Sequence, residues 1–386
     1  MTSHDQLRRA MGHLIGVPPD HVSLFWKGRV ALYAMLRALR IGPGDEVVVP
    51  AFTCVAVPNA VLYAGATPVY VDIDEATYTA DPAAVQAAIG TRTRAVLAQN
   101  TFGLSSDLDA LRDAAAAQGA VVIDDCTHGL GGTYRGRPAG AAADAAFYST
   151  QWSKPISTGL GGIAVTSDPQ LARELGALEG AAPEPSVADR ALLVAMLVAR
   201  ERIATPRTIR AGRAAYRAVS RAGVVPGSSS RDELEGAEMP DAFMARMSGF
   251  QARLAVRRLA TLDAKVRRRR AVAERYSAWL AANGGTPAHE PSPGDHAFLR
   301  YPLRVREREA FVQEAQRRGI DLGDWFHSPL YPITGDLGRW GYRWGANPVA
   351  ERVASEIVNL PTDVAPDGRE VEAVKALLET SGRRLV

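Results

Sequence analysis

Lys154 is one of four lysines in a chain of 386 residues that carries 45 lysine and arginine side chains; the others are Lys27, Lys265 and Lys375. Arginine fills almost every other cationic position, and a guanidinium that stays protonated cannot condense with an aldehyde. Lys154 lies in a weakly charged stretch just before Gly159, Gly161 and Gly162. Upstream, Val121, Val122 and Ile123 break abruptly into Asp124 and Asp125. An amine and a carboxylate so placed suit a pyridine-ring aldehyde cofactor. The aldehyde forms an imine with the amine, and the ring nitrogen stays protonated beside the acid. Read alone, Lys154 is equally a solvated loop residue, and its flanking pattern separates the two readings.

The β-branched run Val121–Ile123 reads as a strand buried on both faces. Asp124 and Asp125 then fall at its carboxyl end, where ligands bind in open α/β sheets. Asp124 reads as a strand-end or supporting residue beside Asp125. Ala145–Tyr148 reads as a second strand, followed by Ser149 and Lys154. Gly28 precedes a strong helix pattern with Val30, Leu32, Met35, Leu36 and Leu39 apolar, ended by Gly42, Pro43 and Gly44. A helix that opens on glycine offers free N–H groups at a positive dipole end, which suits a phosphate, and Arg29 adds a full charge there.

The remaining elements make room for these residues. Strands are expected at Glu46–Val49, Thr67–Ile73, Arg94–Gln99 and Gly162–Thr166. Helices are expected at Ala51–Tyr63, Asp81–Ile89 and Leu108–Gln118, with Asp81 as N-cap and Pro82 at the first helical position. Asp72 and Asp74 read as turn formers. This alternation argues for an α/β fold with a mainly parallel sheet wrapped by helices. The large domain spans 20–250, with an Ala/Arg-rich helical insertion at about 170–236 and a loop at Pro226, Gly227 and Ser228–Ser230. A long helix, expected over Phe243–Leu280, leads into 251–386, which also holds a Gly/Pro-rich linker at Asn283–Asp295 and a smaller C-terminal α+β domain.

Composition excludes several alternatives. Apolar content of 47%, charged content of 23% and a net charge of +3 are those of an ordinary globular chain. The Arg267–Arg270 cluster has no interleaved aromatics, so it reads as a solvated face and not a nucleic-acid surface. Cys54 and Cys126 are too few for a disulfide framework and point to a reducing, cytoplasmic setting. The N-terminus lacks a signal-peptide pattern. The greasiest run, Ala191–Val198, is far short of the ~20 residues of a membrane span.

From Lys27 to Leu378 the chain resembles the DegT/DnrJ/EryC1/StrS sugar aminotransferases, within the fold-type I PLP enzymes. The resemblance rests on an ordered series: GPGDEVVVPAFT, NAVLYAGATPVYVDID, FGLSSDLDAL, VVIDDCTHGLGGTYRGRPAG, RMSGFQARLAVRRLATLD and NLPTDVAPDGREVEAVKALL. It implies pyridoxal 5′-phosphate as cofactor, held as a Schiff base on Lys154, with Asp125 at the ring nitrogen. Ser149, five residues before the lysine, matches a phosphate ligand, and Gly28 and Arg29 match a glycine-threonine pair whose amides cradle the phosphate. His128 falls where the family has a glutamine near the ring hydroxyl, and Cys54 where an aromatic side chain stacks on the ring. Met244 replaces an asparagine that reaches the partner subunit's phosphate, leaving Arg246 and Met247 of that motif. WFHSPLYP resembles a substrate-contacting segment with its histidine displaced to His327.

The resemblance implies an aminotransferase of amino-sugar or antibiotic biosynthesis. It would act as a homodimer with its site at the interface, moving nitrogen from glutamate or glutamine to a keto group of a sugar, nucleotide-sugar or cyclitol. Two other readings stay open. One keeps the cofactor but performs elimination, dehydration or carbon–carbon bond formation on an amino-acid substrate. The other is a non-catalytic protein of the same fold.

Overall fold

The computed structural model describes residues 1–203, 238–291, 293–382 and 385–386. A seven-stranded sheet forms its centre: β1 (Val22–Phe25), β2 (Glu46–Pro50), β3 (Thr67–Val71), β4 (Thr93–Gln99), β5 (Val121–Asp125), β6 (Ala145–Ser149) and β7 (Gly162–Thr166). Their order across the sheet is β1-β7-β6-β5-β4-β2-β3. Pairing is parallel from β6 through to β3, and β7 runs antiparallel to both its neighbours. The first helices are α1 (Ser3–Ile15), α2 (Gly28–Ala38), α3 (Ala56–Tyr63), α4 (Pro82–Ala88), α5 (Leu108–Ala116), α6 (Pro169–Ala181) and α7 (Val187–Ile203).

Two helix layers sandwich the sheet. Val48, Val96 and Val122 pack with Val85 of α4 and Leu108 and Leu111 of α5. Their sequence neighbours Val47, Ala95, Leu97 and Ile123 pack on the other face with α2, α3 and α6. Alternate strand residues therefore meet opposite layers, which is why these strands read as unbroken apolar runs. Local signals start the helices. Asp81 accepts from Ala83 N–H at 2.9 Å with Pro82 at the first position, and Asp168 caps α6 through Gln170 and Leu171.

Two expected helices are shorter than their sequence pattern. The one expected over Ala51–Tyr63 begins only at Ala56, because Thr53 and Cys54 pair in parallel with Leu330 and Tyr331. The one expected over Phe243–Leu280 is two helices, α8 (Gly249–Leu259) and α9 (Leu262–Ala282). Before them, Met247 N–H bonds to Leu24 and Trp26 N–H to Ala245, so tertiary pairing overrides the helical pattern up to Ser248. Ser248 and Gln251 then cap α8 reciprocally. Within the stretch read as an insertion, α6 packs on α2 and β1, while α7 packs through Leu193 and Leu197 against Trp26 and Leu160. The loop read at Pro226, Gly227 and Ser228–Ser230 lies outside the described residues.

The C-terminal unit pairs β8 (Tyr301–Arg304) antiparallel with β9 (Ile357–Leu360). Helices α10 (Arg308–Arg317), α11 (Pro348–Glu356) and α12 (Arg369–Thr380) surround this pair. Polar joints fix it to the large sheet. Asp72 accepts from the Val349 and Ala350 amides at 2.9 and 2.7 Å, so it caps α11 from across the boundary. Asp74 closes the turn expected of it, through Ala76 and Thr77. Trp340 donates its indole N–H to Asn59 at 2.6 Å. Among the described residues no helix is long and apolar enough to cross a membrane.

Candidate active site

β5 delivers two adjacent carboxylates into different surroundings. Asp124 is saturated: Asn100 donates to Oδ1 at 2.6 Å and the Gly140 amide to Oδ2 at 2.9 Å. Burial pushes it up to about 6 in spite of those bonds. Asp125 is also buried and raised by desolvation, but it is held by Thr127, whose N–H donates at 2.9 Å, and by the positive field of Lys154. Cys126 is a buried thiol pushed well up by desolvation, consistent with a core position.

Lys154 follows β6, the strand parallel to β5. Its residue surface is partly exposed, but its amine end is desolvated enough to lie below the usual lysine range. Asp125 and Cys54 pull that amine back up, and Arg29 pushes it further down. Four residues singled out from sequence thus share one electrostatic neighbourhood. Cys54 enters it because its pairing with Tyr331 holds it there.

The start of α2 closes one end. A Cβ on Gly28 would come within 2.8 Å of Ser149 Cβ and 3.1 Å of its Oγ, so only glycine lets the helix start meet that hydroxyl. Lys27, at the N-cap, makes no side-chain capping bond to the first-turn amides. The Gly28 start of α2 and the Ser149 hydroxyl meet there, a donor set that suits an anion, and the charge of the buried Arg29 reaches Lys154. This donor set, with an amine and an acid beyond it, fits pyridoxal 5′-phosphate.

His128 lies on a third side. Its Nδ1 accepts from Phe102 N–H at 3.3 Å, which places the proton on Nε2 when the ring is neutral. Desolvation, then the charges of Lys154 and Arg300, keep it well below the usual histidine range, so it is neutral. Its ring stacks on Trp325 at 4.5 Å and 22°. Trp325 also carries the Lys154 amine 5.2 Å and the Arg300 guanidinium 5.6 Å from its ring centre. Neither Trp325 nor Arg300 was singled out from sequence. The WFHSPLYP segment contributes to this wall: His327 packs edge-on against Tyr331, and Trp325 meets His128 and Lys154. Arg246 pairs with Glu184 at 3.2 Å, and Met244 packs against the core beside Phe243.

This α/β fold, a mainly parallel central sheet wrapped by helices, is that of the fold-type I PLP-dependent transferases. The DegT/DnrJ/EryC1/StrS aminotransferase family pattern matches residues 3–192 and 214–379, and the chain belongs to that family. It is 29% identical to GDP-perosamine synthase of Caulobacter vibrioides, over 97% of this chain and 88% of that one. It is 46% identical over 145 residues to L-glutamine:scyllo-inosose aminotransferase of Streptomyces griseus, covering 38% of this chain and 34% of that one. Among solved structures, S. venezuelae DesV superposes with a TM-score of 0.75 at 28% identity, over all of this chain and 91% of its own.

Proposed function

We propose that the protein transfers an amino group from glutamate or glutamine to the keto group of a sugar, nucleotide-linked sugar or cyclitol, using pyridoxal 5′-phosphate held by Lys154. One observation carries this reading. Asp125 closes β5, and Lys154 lies five residues past the end of β6, the strand paired parallel to it, which brings a buried acid and an amine to one edge of the sheet. The names of the relatives support the acceptor class, since they include a nucleotide-sugar enzyme and a glutamine-dependent cyclitol enzyme.

When bound, the cofactor supplies an aldehyde for the donor nitrogen and a protonated ring that draws electrons from the donor α-carbon. Asp125 would hold the proton on the ring nitrogen. Lys154, with its affinity for protons reduced by desolvation, would lift the α-proton and return it one carbon away. His128, neutral with its proton on Nε2, would donate to an oxygen of the ring. The Gly28 end of α2, Arg29 and Ser149 would hold the phosphate, and Cys54 would flank the ring. We propose a homodimer as the working form, checked by light scattering on the purified protein.

Borohydride reduction of the cofactor-loaded protein, followed by peptide mapping, tests the assignment. The label is expected on Lys154 and absent from Lys154→Ala. A label on Lys27 or Lys265 sinks the reading.

A further inference from the structure

We propose that α7 braces the loop that carries Lys154, with Arg200 and Leu193 as positioning residues for the lysine; the inference rests on the cofactor-binding reading above. Lys154 lies in the connection from β6 to β7, residues 150–161. The base of that connection holds itself together. Thr150 N–H bonds to Gly161 O at 2.9 Å, Thr158 N–H to Thr150 O at 2.6 Å, and Gln151 bridges to Gly159. Its tip reaches solvent: Ser153 is exposed, and Trp152 and Lys154 are half-buried.

α7 meets that tip from outside. Arg200 Nη1 donates to the Trp152 carbonyl oxygen at 2.7 Å, and its guanidinium lies 5.5 Å from the Trp152 ring centre. One side chain therefore grips the backbone two residues before the lysine and covers the ring beside it. Earlier on α7, Leu193 fills the space over Gly159. A Cβ on that glycine would lie 2.6 Å from Leu193 Cδ1 and 3.2 Å from Trp152 Cζ2, and its φ is +84°. Backbone and space both exclude a larger residue there. Leu193 and Leu197 are buried against Trp26, just past β1, and against Leu160 of the same loop. α8 supports the assembly: Arg258 donates to the Ser157 carbonyl oxygen and, at 2.8 Å, to Glu201 of α7.

The chemistry gives such a brace a task. For the amine to hold the cofactor, Lys154 Nζ bonds to the aldehyde carbon and the aldehyde oxygen leaves as water. The more narrowly the loop confines the amine beforehand, the less freedom is lost when that bond closes. Pyridoxamine 5′-phosphate carries an amine in place of the aldehyde. It makes no bond to Lys154 and gains nothing from the brace.

The test compares the two cofactor forms. Full-length protein freed of cofactor is titrated with pyridoxal 5′-phosphate or with pyridoxamine 5′-phosphate, and binding is read by equilibrium dialysis. Arg200→Gln is expected to weaken binding of the pyridoxal form roughly 5–10-fold and to leave the pyridoxamine form within about twofold. Arg200→Lys, which keeps the charge with a single donor, should lie between wild type and Arg200→Gln. Leu193→Ala should also weaken the pyridoxal form more than the pyridoxamine form, with a lower thermal midpoint. If the leucine variant does not fold, the variants of the exposed Arg200 decide the matter. A loss of packing alone would weaken both forms equally. If neither Arg200→Gln nor Leu193→Ala weakens the pyridoxal form more than the pyridoxamine form, the brace is overturned. A wild type that binds neither form, or whose borohydride label is not on Lys154, overturns the cofactor reading instead.

Discussion

The floor and the wall of the site are built by different means. The floor is sheet: Asp125 ends β5, Ser149 ends β6, and Gly28 starts the helix that follows β1. Asp125 is buried, and pairing of β5 with β4 and β6 sets its position; Lys154 follows from the end of β6. The wall is loop. His296–Arg300 and Trp325–Tyr331 come from far along the chain, and the turn at Thr101–Gly103 and the edge at Thr53–Cys54 receive them. A floor fixed by a seven-stranded sheet suits the chemistry common to a family. A wall fixed by a few backbone bonds can change with the substrate and leave that chemistry alone.

The contrast breaks most severely on the floor. Lys154→Arg keeps a cation and removes the proposed nucleophile, so turnover should fall by at least about 10⁴-fold while the thermal midpoint hardly moves. Steady-state rates and a melting curve check both halves; a variant that still turns over would refute the covalent role. Asp125→Asn comes next. It keeps the shape and the bond from Thr127 but removes the charge proposed to hold a ring proton, so a loss of about 10²–10³-fold in kcat is expected. Asp124→Asn beside it should cost activity far less. Its loss should appear as stability, because one of its two donors, Asn100 or Gly140, is left without an acceptor. Equal kinetic losses in the two variants would mean that neighbouring carboxylates do not divide the work.

The same contrast explains what was legible in the sequence. The sheet could be read because each strand is an apolar run closed by polar residues, and Asp125, Ser149 and Lys154 stand at fixed offsets from such runs. The wall could not. Arg300 is one arginine among many, and only the contact of Gly103 with Phe298 and Leu299 brings it to the site. Trp325 falls in a segment whose histidine drew attention, yet backbone pairing at Leu330–Tyr331 sets that segment's register. The helix expected over Phe243–Leu280 fails at its start for the same reason: residues Ala245 and Met247 pair with Trp26 and Leu24, some 220 residues earlier in the chain.

Gly103→Ala sharpens the comparison from the wall. The added methyl meets backbone nitrogen and oxygen atoms, which cannot swing away, and the residue must also hold a positive φ. A loss on the order of 2–4 kcal/mol in unfolding free energy is expected. In the surviving folded fraction the borohydride label on Lys154 should persist. A variant with wild-type stability would show that the 297–300 segment does not depend on this close approach.

The smallest effect expected is a pH dependence at His296. Its Nδ1 accepts from Ser105 N–H at 3.1 Å, tying the start of the wall to the loop after β4. Desolvation pushes this histidine down from 6.5 to about 4. The unfolded chain therefore binds a proton between those values that the folded chain refuses, and stability contributed by the neutral ring is lost as pH falls through that window. His128 is depressed as well and adds to the slope, whereas the raised Asp124 opposes it, so the difference between two proteins is the informative quantity. His296→Gln keeps an acceptor for Ser105 and cannot titrate. Urea midpoints measured from pH 7 to pH 4.5 should fall more steeply for the wild type than for this variant, by on the order of 1 kcal/mol across the range. Parallel curves would mean that the ring is already protonated in the fold, and that some other bond holds the wall to the loop.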